Sequence, residues 1–485
     1  MRLGAWARVI APVELAVCCL TFFGRIRLAI RARLGYGVKM TESQKITDRL
    51  GGFVSAMRDY PPLIWSFLYF FFLLTGYYVL RPVRDAMGSS AEVQDIFPTW
   101  FIEAAVSRGI KLSDLTLQVL FTLVFIVIVL IQPFYGALVS RFPRRIFLPV
   151  VYGIFMACLI GFYFVFDSAM PGRGAAFFIW VAVFNLFAVT VFWSFMADIY
   201  SDGEARRLYG YIGAGGTLGG FLGPAITKTL VSSIGVANLL LVSCFFLLLC
   251  WFCILKLGRW AKQRELQRGL HHDDEALGGS VLTGFRLVFK DPLMRAFAVL
   301  MFFGVGVGTL LYNEQVAIAR VFYPVDELRT EFFANIDLAI NLVSIIVQLF
   351  LTRFLLLRFG VVPVLLIPAV FITLGFAIIS ASPLPFLIAV VQVVTRAGEF
   401  SIGKPARETI YTRVDRETRY KAKAFIDTAV YRGGDLTFVW FHKFLATFGS
   451  STVFIVGIFV SIAMGVGAWK VGKEQAGISD NKPSP

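Results

Sequence analysis

Charge is scarce in this chain. Asp, Glu, Lys and Arg make up 16% of its 485 residues, against about 25% in a soluble globular protein. That shortage, with a mean hydropathy of +0.74, excludes a water-soluble domain. Histidine is scarcer still, three in all, two of them adjacent at His271-His272 and far in sequence from the other ionisable clusters. Catalysis and metal binding need His, Asp, Glu or Cys at set spacings, so we expect no enzyme, no metal and no cofactor. The six cysteines are too few and too scattered for a disulfide framework. Cys250-Trp-Phe-Cys253 has redox or zinc spacing but lies inside an apolar run, where packed thiols are the simpler reading. The alternation of a membrane β-barrel is missing. So is an A-x-A cleavage site near the start, which argues against a signal peptide.

Long apolar runs are what the chain has instead, with 58% hydrophobic residues and 50 Phe. Runs of about twenty residues match helices crossing a ~30 Å hydrocarbon core. The spacing predicts twelve spans, at about 61–80, 115–139, 146–166, 174–197, 208–232, 235–255, 293–316, 330–352, 359–380, 384–403, 424–447 and 451–470. From Met40 onward, Lys and Arg concentrate in the tails and the even-numbered loops. The positive-inside rule then places both termini in the cytoplasm. The net charge of +15 is thereby a topology signal, and no nucleic-acid partner is needed to explain it. Residues 9–23 are apolar but short, contain Glu14, and precede Arg25, Arg27, Arg31 and Arg33. Residues 1–39 read either as an interfacial helix or as an over-long start before Met40.

An internal repeat is visible. Ile199-Tyr200-Ser201 before Glu204-Ala-Arg206 parallels Ile410-Tyr411-Thr412 before Glu417-Thr-Arg419, and Gly219-Gly220 parallels Gly433-Gly434. Spans 3, 6, 9 and 12 carry no charge in their interiors, whereas spans 1, 5, 7, 8, 10 and 11 carry it within or beside them. The loop Gly136-Ala-Leu-Val-Ser140-Arg141-Phe-Pro143-Arg144-Arg145 resembles the major-facilitator G-x-L-x-D-R-x-G-R-R, departing from it at Ser140 and Pro143. We therefore expect an all-α polytopic membrane protein with 12 transmembrane helices in two parallel six-helix halves, major-facilitator-like. Its parts would be a cytoplasmic tail 1–60, a first half 61–255, a cytoplasmic linker 256–291, a second half 292–470 and a cytoplasmic tail 471–485.

Ionisable residues in a span are functional hypotheses by default. Span 1 ends in Arg81-Pro82-Val83-Arg84-Asp85. Arg81 and Asp85, at i,i+4, can neutralise each other. That leaves Arg84 as a free cation with a planar donor fork for carboxylate or phosphate, or as a snorkelling helix-end arginine. Span 7 holds Glu314 after Gly304-Val-Gly306-Val-Gly308. It has no intrahelical counter-charge, so its partner is Arg84 or a coupling proton. On span 8, Asp337, Asn341, Ser344 and Gln348 form one polar stripe, which lines a cavity or hydrogen-bonds to a neighbour. Span 10 offers Arg396 and Glu399 at i,i+3, a structural pair or a site. Span 11 carries Asp427, Tyr431, Asp435 and His442, with Arg432 off that stripe and Lys421 and Lys423 at its mouth. In span 5, Gly215, Gly219 and Gly223 and the pair Gly216 and Gly220 make G-x-x-x-G faces suited to close helix packing. No strand precedes them and no Gly-Lys-Ser/Thr follows, so they are not a phosphate-binding loop.

Several of these segments resemble the ATP:ADP antiporter (nucleotide transporter) family of plastids and intracellular bacteria. Leu80-Arg81-Pro-Val-Arg84-Asp85 is similar to its span-1 motif L-R-D-T-K-D. Lys421-Ala-Lys423-Ala-Phe-Ile-Asp427 is similar to its K-x-K-x-x-I-D, and Phe192-Trp193-Ser-Phe195 before Glu204-Ala-Arg-Arg to its F-W-x-F and E-A-K/R. The resemblance runs from about residue 60 to 450. It implies exchange of nucleoside phosphates with Arg84, Glu314 and Lys423 as binding residues. Arg84 replaces the family lysine. The family's span-4 acid has no counterpart, Asn185 being the polar residue in the middle of that span.

The expected function is a secondary transporter of an anionic, phosphate-bearing solute, by alternating access in a bacterial inner membrane. ATP/ADP exchange is the first reading. The alternative is a proton-coupled major-facilitator transporter of another organic anion or lysolipid. The expected partners are the anionic solute, the lipid bilayer and, in the second reading, protons. The candidate substrate-binding set is Arg84, Glu314, Lys423, Arg81, Lys421, Asp337, Asn341, Asp427 and Arg396.

Overall fold

A computed structural model describes residues 61–90, 92–141, 144–167, 170–200, 202–268, 281–404, 406–407, 422 and 425–480. The expectations for residues 1–60, for Lys421 and Lys423, for His271-His272 and for the second copy of the Ile-Tyr repeat fall outside these residues, as does Pro143.

Every regular element among the described residues is helical. In chain order they are α1 (Pro62–Gly88), two short helices α2 (Val93–Ile96) and α3 (Thr99–Val106), α4 (Thr116–Arg141), α5 (Arg144–Asp167), α6 (Arg173–Ile199) and α7 (Asp202–Arg268). After residues 269–280 come α8 (Val281–Lys290), α9 (Pro292–Phe322), α10 (Asp326–Val347), α11 (Arg353–Phe359), α12 (Val361–Ala381), α13 (Pro385–Gly398), α14 (Tyr431–Ala446) and α15 (Ser450–Asp480). Wide π-helical turns follow α10 at Gln348–Thr352 and α13 at Glu399–Gly403, and one precedes α14 at Ile426–Val430. Local chemistry sets some of these ends. Pro292 opens α9, and the Asp291 side chain accepts a hydrogen bond from the Leu293 amide at 2.8 Å, so an orphan donor of the first turn is satisfied.

The expected twelve spans in two halves of six are corrected here. Among the described residues, nine helices are long and apolar enough to cross a membrane. Three features separate the two counts. The tracts 208–232 and 235–255 are two helices that meet end to end within α7 at Gly235, whose non-helical φ of 78° favours a residue without Cβ, so they count together as one run. The counted stretch of α4, Thr116–Ile131, ends where the described side chains end, although the helix itself runs to Arg141. The tract 424–447 is divided between a π-helical turn and the 16-residue, charge-bearing α14. A hydropathy window registers apolar length and is blind to such breaks. Helix α7 continues to Arg268 and α15 to Asp480.

The buried core forms two clusters. One is built from residues of α1 and α5–α7 together with Tyr200 of the α6–α7 link. The other joins α8–α15 to the far end of α1, to α2–α4 and to α6. Helix α1 packs along α7, whose small residues permit the approach. Ser243 Oγ donates to the Gly76 carbonyl at 3.0 Å, and Thr227 Oγ1 to the Val79 carbonyl at 3.2 Å. A Cβ on Gly223 would lie 2.6 Å from Tyr78 Cβ and 2.8 Å from the Thr75 carbonyl oxygen. Gly223→Val should therefore destabilise the protein by at least about 1–3 kcal/mol through overpacking, read as a lower midpoint of thermal unfolding in detergent. An unchanged midpoint would mean the two helices are not in register as described. Cys250 and Cys253 are buried free thiols on the same helix, with Cys250 Sγ 3.6 Å from the Tyr69 carbonyl oxygen.

Candidate functional site

The last turns of α1 carry the first part of the site. Pro82 sits inside the helix and has no amide hydrogen to donate, which weakens the ladder beside the two arginines. Arg81 Nη1 pairs with Asp337 Oδ1 of α10 at 3.1 Å, and its guanidinium carbon lies 5.6 Å from the Tyr78 ring centroid. Arg84 donates through Nε and Nη2 to Asp85 Oδ1, at 2.8 and 2.6 Å. The same oxygen accepts from Tyr312 Oη of α9 at 3.0 Å, and the Arg84 guanidinium stands 5.1 Å from the Phe178 ring on α6.

The expected Arg81–Asp85 pair with a free Arg84 is thus replaced by two other pairs. Asp337 is buried, and a buried carboxylate without a cation is far costlier than a partner exchange inside one helix. Arg81 therefore crosses to Asp337. Asp85 keeps a neighbouring cation in Arg84 and gains a hydroxyl from Tyr312.

A third pair sits on α14. Arg432 Nη1 lies 3.5 Å from Asp435 Oδ2, and Asp435 Oδ1 accepts from Thr309 Oγ1 of α9 at 2.9 Å. Arg84, Arg432 and Asp435 meet at one cavity of about 50 Å³, walled by Phe121, Phe125 and Phe178. Pockets for small-molecule ligands measure roughly 300–1,000 Å³, so the charges are seen closed together.

Arg396 on α13 stands apart. Among the described residues it makes no hydrogen bond or ion pair, and its Nε is buried without a partner. It reaches α9 where a glycine admits it: a Cβ on Gly308 would be 3.2 Å from Arg396 Nη2. Glu399, its expected i,i+3 partner, pairs with Arg407. The π-helical turn that begins at Glu399 breaks the regular register on which the i,i+3 expectation rests. The central region therefore holds four arginines, 81, 84, 396 and 432, and four acids, Asp85, Asp337, Asp435 and Glu314, and Arg396 is the arginine with no acid in direct contact.

The remaining candidates are placed as follows. Glu314 Oε1 is 2.9 Å from His442 Nε2, so its partner is neither Arg84 nor another cation of α1. Asn341 is buried, donates to the Asp337 carbonyl at 2.8 Å, and presents Oδ1 to Gly220 of α7. Ser344 bonds to its own helix at Ile340, and Gln348 to the Phe400 carbonyl. Of the α10 stripe, Asp337 alone forms an ion pair, and its Oδ2 is buried without a partner. Asp427 is exposed in the turn before α14.

Sequence reasoning missed Tyr312 and Thr309, neutral groups that hold the aspartates from α9. It also missed Arg329, only 1% exposed. Arg329 pairs with Asp326 and donates to the carbonyls of Ala86, Tyr323 and Pro324. It ties the end of α1 to the α9–α10 connection. Asp326-Glu-Leu-Arg329, an i,i+3 pair at a helix start, is the sequence signal that marks it. On the same side, Gln118 of α4 donates to the Val439 carbonyl, and Trp440 Nε1 to Thr122 Oγ1. No group of three or more His, Cys, Asp or Glu suited to a metal ion occurs among the described residues.

Three comparisons bear on this arrangement. The family model described as Major Facilitator Superfamily matches residues 94–318. Among curated proteins, the ADP,ATP carrier protein 1 of Chlamydia trachomatis is 24% identical over 470 residues, covering 84% of this chain and 87% of its own length. Its namesake in Chlamydia muridarum is 23% identical over 431 residues, covering 78% and 80%. Among solved structures, the nucleoside transporter NupG superposes with a TM-score of 0.56 at 15% identity, covering 84% of this chain and 99% of its own. The POT family transporter PepTSo gives 0.57 at 11% identity, covering 87% and 99%. The chain is a multi-pass membrane protein, a secondary transporter of major-facilitator fold distantly related to proteins named ADP,ATP carrier.

Proposed function

We propose that this transporter moves a small anionic, phosphate-bearing solute, with ATP/ADP exchange as the specific reading. The observation that carries it is the arginine without a contact partner. Arg81, Arg84 and Arg432 each pair directly with an aspartate, and Arg396 with none. A guanidinium without a contact partner inside a membrane protein is expensive, and its planar fork suits a phosphate oxygen pair. The two paired arginines lining the cavity, 84 and 432, can exchange their carboxylates for phosphate oxygens as an anion enters. The names of the Chlamydia relatives add nucleotide exchange to this picture.

In this reading alternating access exposes the arginines to each side of the membrane in turn. Both termini lie in the cytoplasm, as the Lys and Arg distribution requires. Arg81, Asp337 and Asn341 shape the site. Lys421 and Lys423, near Asp427 in the sequence, add further positive charge in this reading.

The test is uptake of radiolabelled ADP into proteoliposomes holding the purified full chain. Uptake should be strong with ADP or ATP inside and weak in vesicles without nucleotide. Equal uptake under both conditions would replace exchange by net transport. No uptake under either, from protein shown to be folded, would remove nucleotide as the substrate.

A further inference from the structure

We infer that the groove between α12 and α15 binds an anionic phospholipid, with one acyl chain lying in the groove and the headgroup phosphate at Lys470 and Lys473. This site shares no residue with the arginine cluster and does not depend on which solute is carried.

The two helices run antiparallel, and small residues set their contact. Thr373 Oγ1 and Ser461 Oγ are 2.9 Å apart, a Cβ on Gly465 would lie 3.4 Å from Ala369 Cβ, and one on Gly457 would meet the Phe376 ring. Where Ala369, Ser461 and Gly465 come together, the side chains are too short to fill the space above them. Their larger neighbours Val370, Leu374, Ile462, Val466 and Trp469 stand outward and exposed. A cavity of about 430 Å³ is left between them, within the roughly 300–1,000 Å³ of ligand pockets. From Ser461 to Trp469 it extends about 12 Å along the helix axis. The two hydroxyls in its lining offer a ligand no free donor. Thr373 donates to the Ala369 carbonyl and Ser461 to the Ile458 carbonyl, both at 2.8 Å. An apolar slot of this shape, open on the bilayer side, takes a hydrocarbon chain.

Charge selects the headgroup. Neither α12 nor residues 450–469 of α15 contain an ionisable residue. The ionisable residues gather at one end of the antiparallel pair. They are Arg353 and Arg358 on α11, just before α12, and Lys470, Lys473 and Glu474 on α15. Cations therefore outnumber acids there, and Arg358, Lys470 and Lys473 are exposed. Lys473 Nζ lies 5.9 Å from the centroid of the Trp469 ring, and Trp469 itself lines the groove. The ammonium is thereby held beside the mouth of the apolar slot, where the phosphate of a lipid would sit once its chain is inside. Basic pockets between transmembrane helices on the cytoplasmic side are suited to anionic headgroups. With both termini in the cytoplasm, this is the cytoplasmic end. A choline headgroup carries its own cation and gains less. A second copy of the chain in the same membrane orientation would set its cations against these, a costly like-charge contact.

The test is a titration of the purified full chain in detergent with phospholipids brominated on their acyl chains, since bromine quenches a tryptophan it touches. The Trp469 signal is the fluorescence of the unaltered chain minus that of Trp469→Phe. Phosphatidylglycerol should quench it at a lower concentration than phosphatidylcholine of the same chains, by roughly fivefold per lysine. With Lys470→Gln and Lys473→Gln together, the two lipids should quench alike. Gly465→Leu should fill the slot and weaken quenching by either lipid, its Cβ making only an ordinary contact with Ala369. Val370→Phe, at an exposed position, fills the slot from outside should Gly465→Leu fail to fold. Equal quenching by both lipids in the unaltered chain overturns the headgroup site, as does a phosphatidylglycerol preference that survives loss of both lysines. Unchanged quenching in a folded, groove-filled variant overturns the chain site. A lipid-free dimer, detected by native mass measurement and lost in Gly465→Leu, would assign this face to a second copy instead.

Discussion

Arg396→Ala is expected to lower the apparent affinity for a phosphate-bearing substrate by roughly 10–100-fold. The figure follows from about 1.5–3 kcal/mol for a hydrogen bond to a charged group, at 1.4 kcal/mol per tenfold. Thermal stability should hold, because Arg396 has no ion-pair or hydrogen-bond partner among the described residues for the substitution to orphan. Arg396→Lys keeps the charge but loses the fork, and should fall between the two. The measurement is the concentration dependence of labelled-ADP exchange beside a melting curve for each variant. Full affinity in Arg396→Ala would take this residue out of the site and leave binding to the arginines already paired with aspartates.

Asp337→Asn should have the opposite profile, a large loss of stability. Arg81 would remain in the protein interior without its counter-ion, its side chain being only 16% exposed. Breaking a buried pair on one side costs about 3–5 kcal/mol, against a total stability of roughly 5–15 kcal/mol for a folded domain. The double substitution Arg81→Met with Asp337→Leu removes both charges together and should recover most of that stability. Transport should remain impaired in the double variant, since the charge balance around the cavity has changed. Thermal unfolding in detergent checks the first part and ADP exchange the second. A melting point for Asp337→Asn equal to that of the unaltered protein would show that water reaches Arg81.

The contrast between these two residues marks where sequence reasoning stopped. From the sequence, Arg84 is the free cation, and Arg396 has Glu399 one turn away. Both expectations apply sound i,i+3 and i,i+4 geometry. Both fail because the decisive partners lie on other helices or behind a break in register. Asp337 on α10 draws Arg81 away from Asp85, Asp85 then holds Arg84, and Glu399 pairs with Arg407 instead of Arg396. Glu314 has no intrahelical counter-charge in the sequence. Its partner, His442, could not be named, because nothing local links two helices so far apart in the chain. Arg329 was passed over as part of a loop, yet it is among the largest fully buried side chains.

The span count shows a related limit. Hydropathy reads apolar length, and length alone shows neither that two helices join end to end at Gly235 nor where the π-helical turns around α10, α13 and α14 fall. What the sequence determined by itself was the class: an all-helical chain in a bilayer, with ionisable residues of both signs inside some of its spans. Composition and hydropathy suffice for that, because the transfer of a side chain into hydrocarbon depends on the residue alone. The tertiary structure decided which charges cancel. Ion pairing in a low-dielectric interior depends on distances between helices that sequence spacing does not encode, and those distances leave Arg396 with no acid in direct contact and place His442 against Glu314.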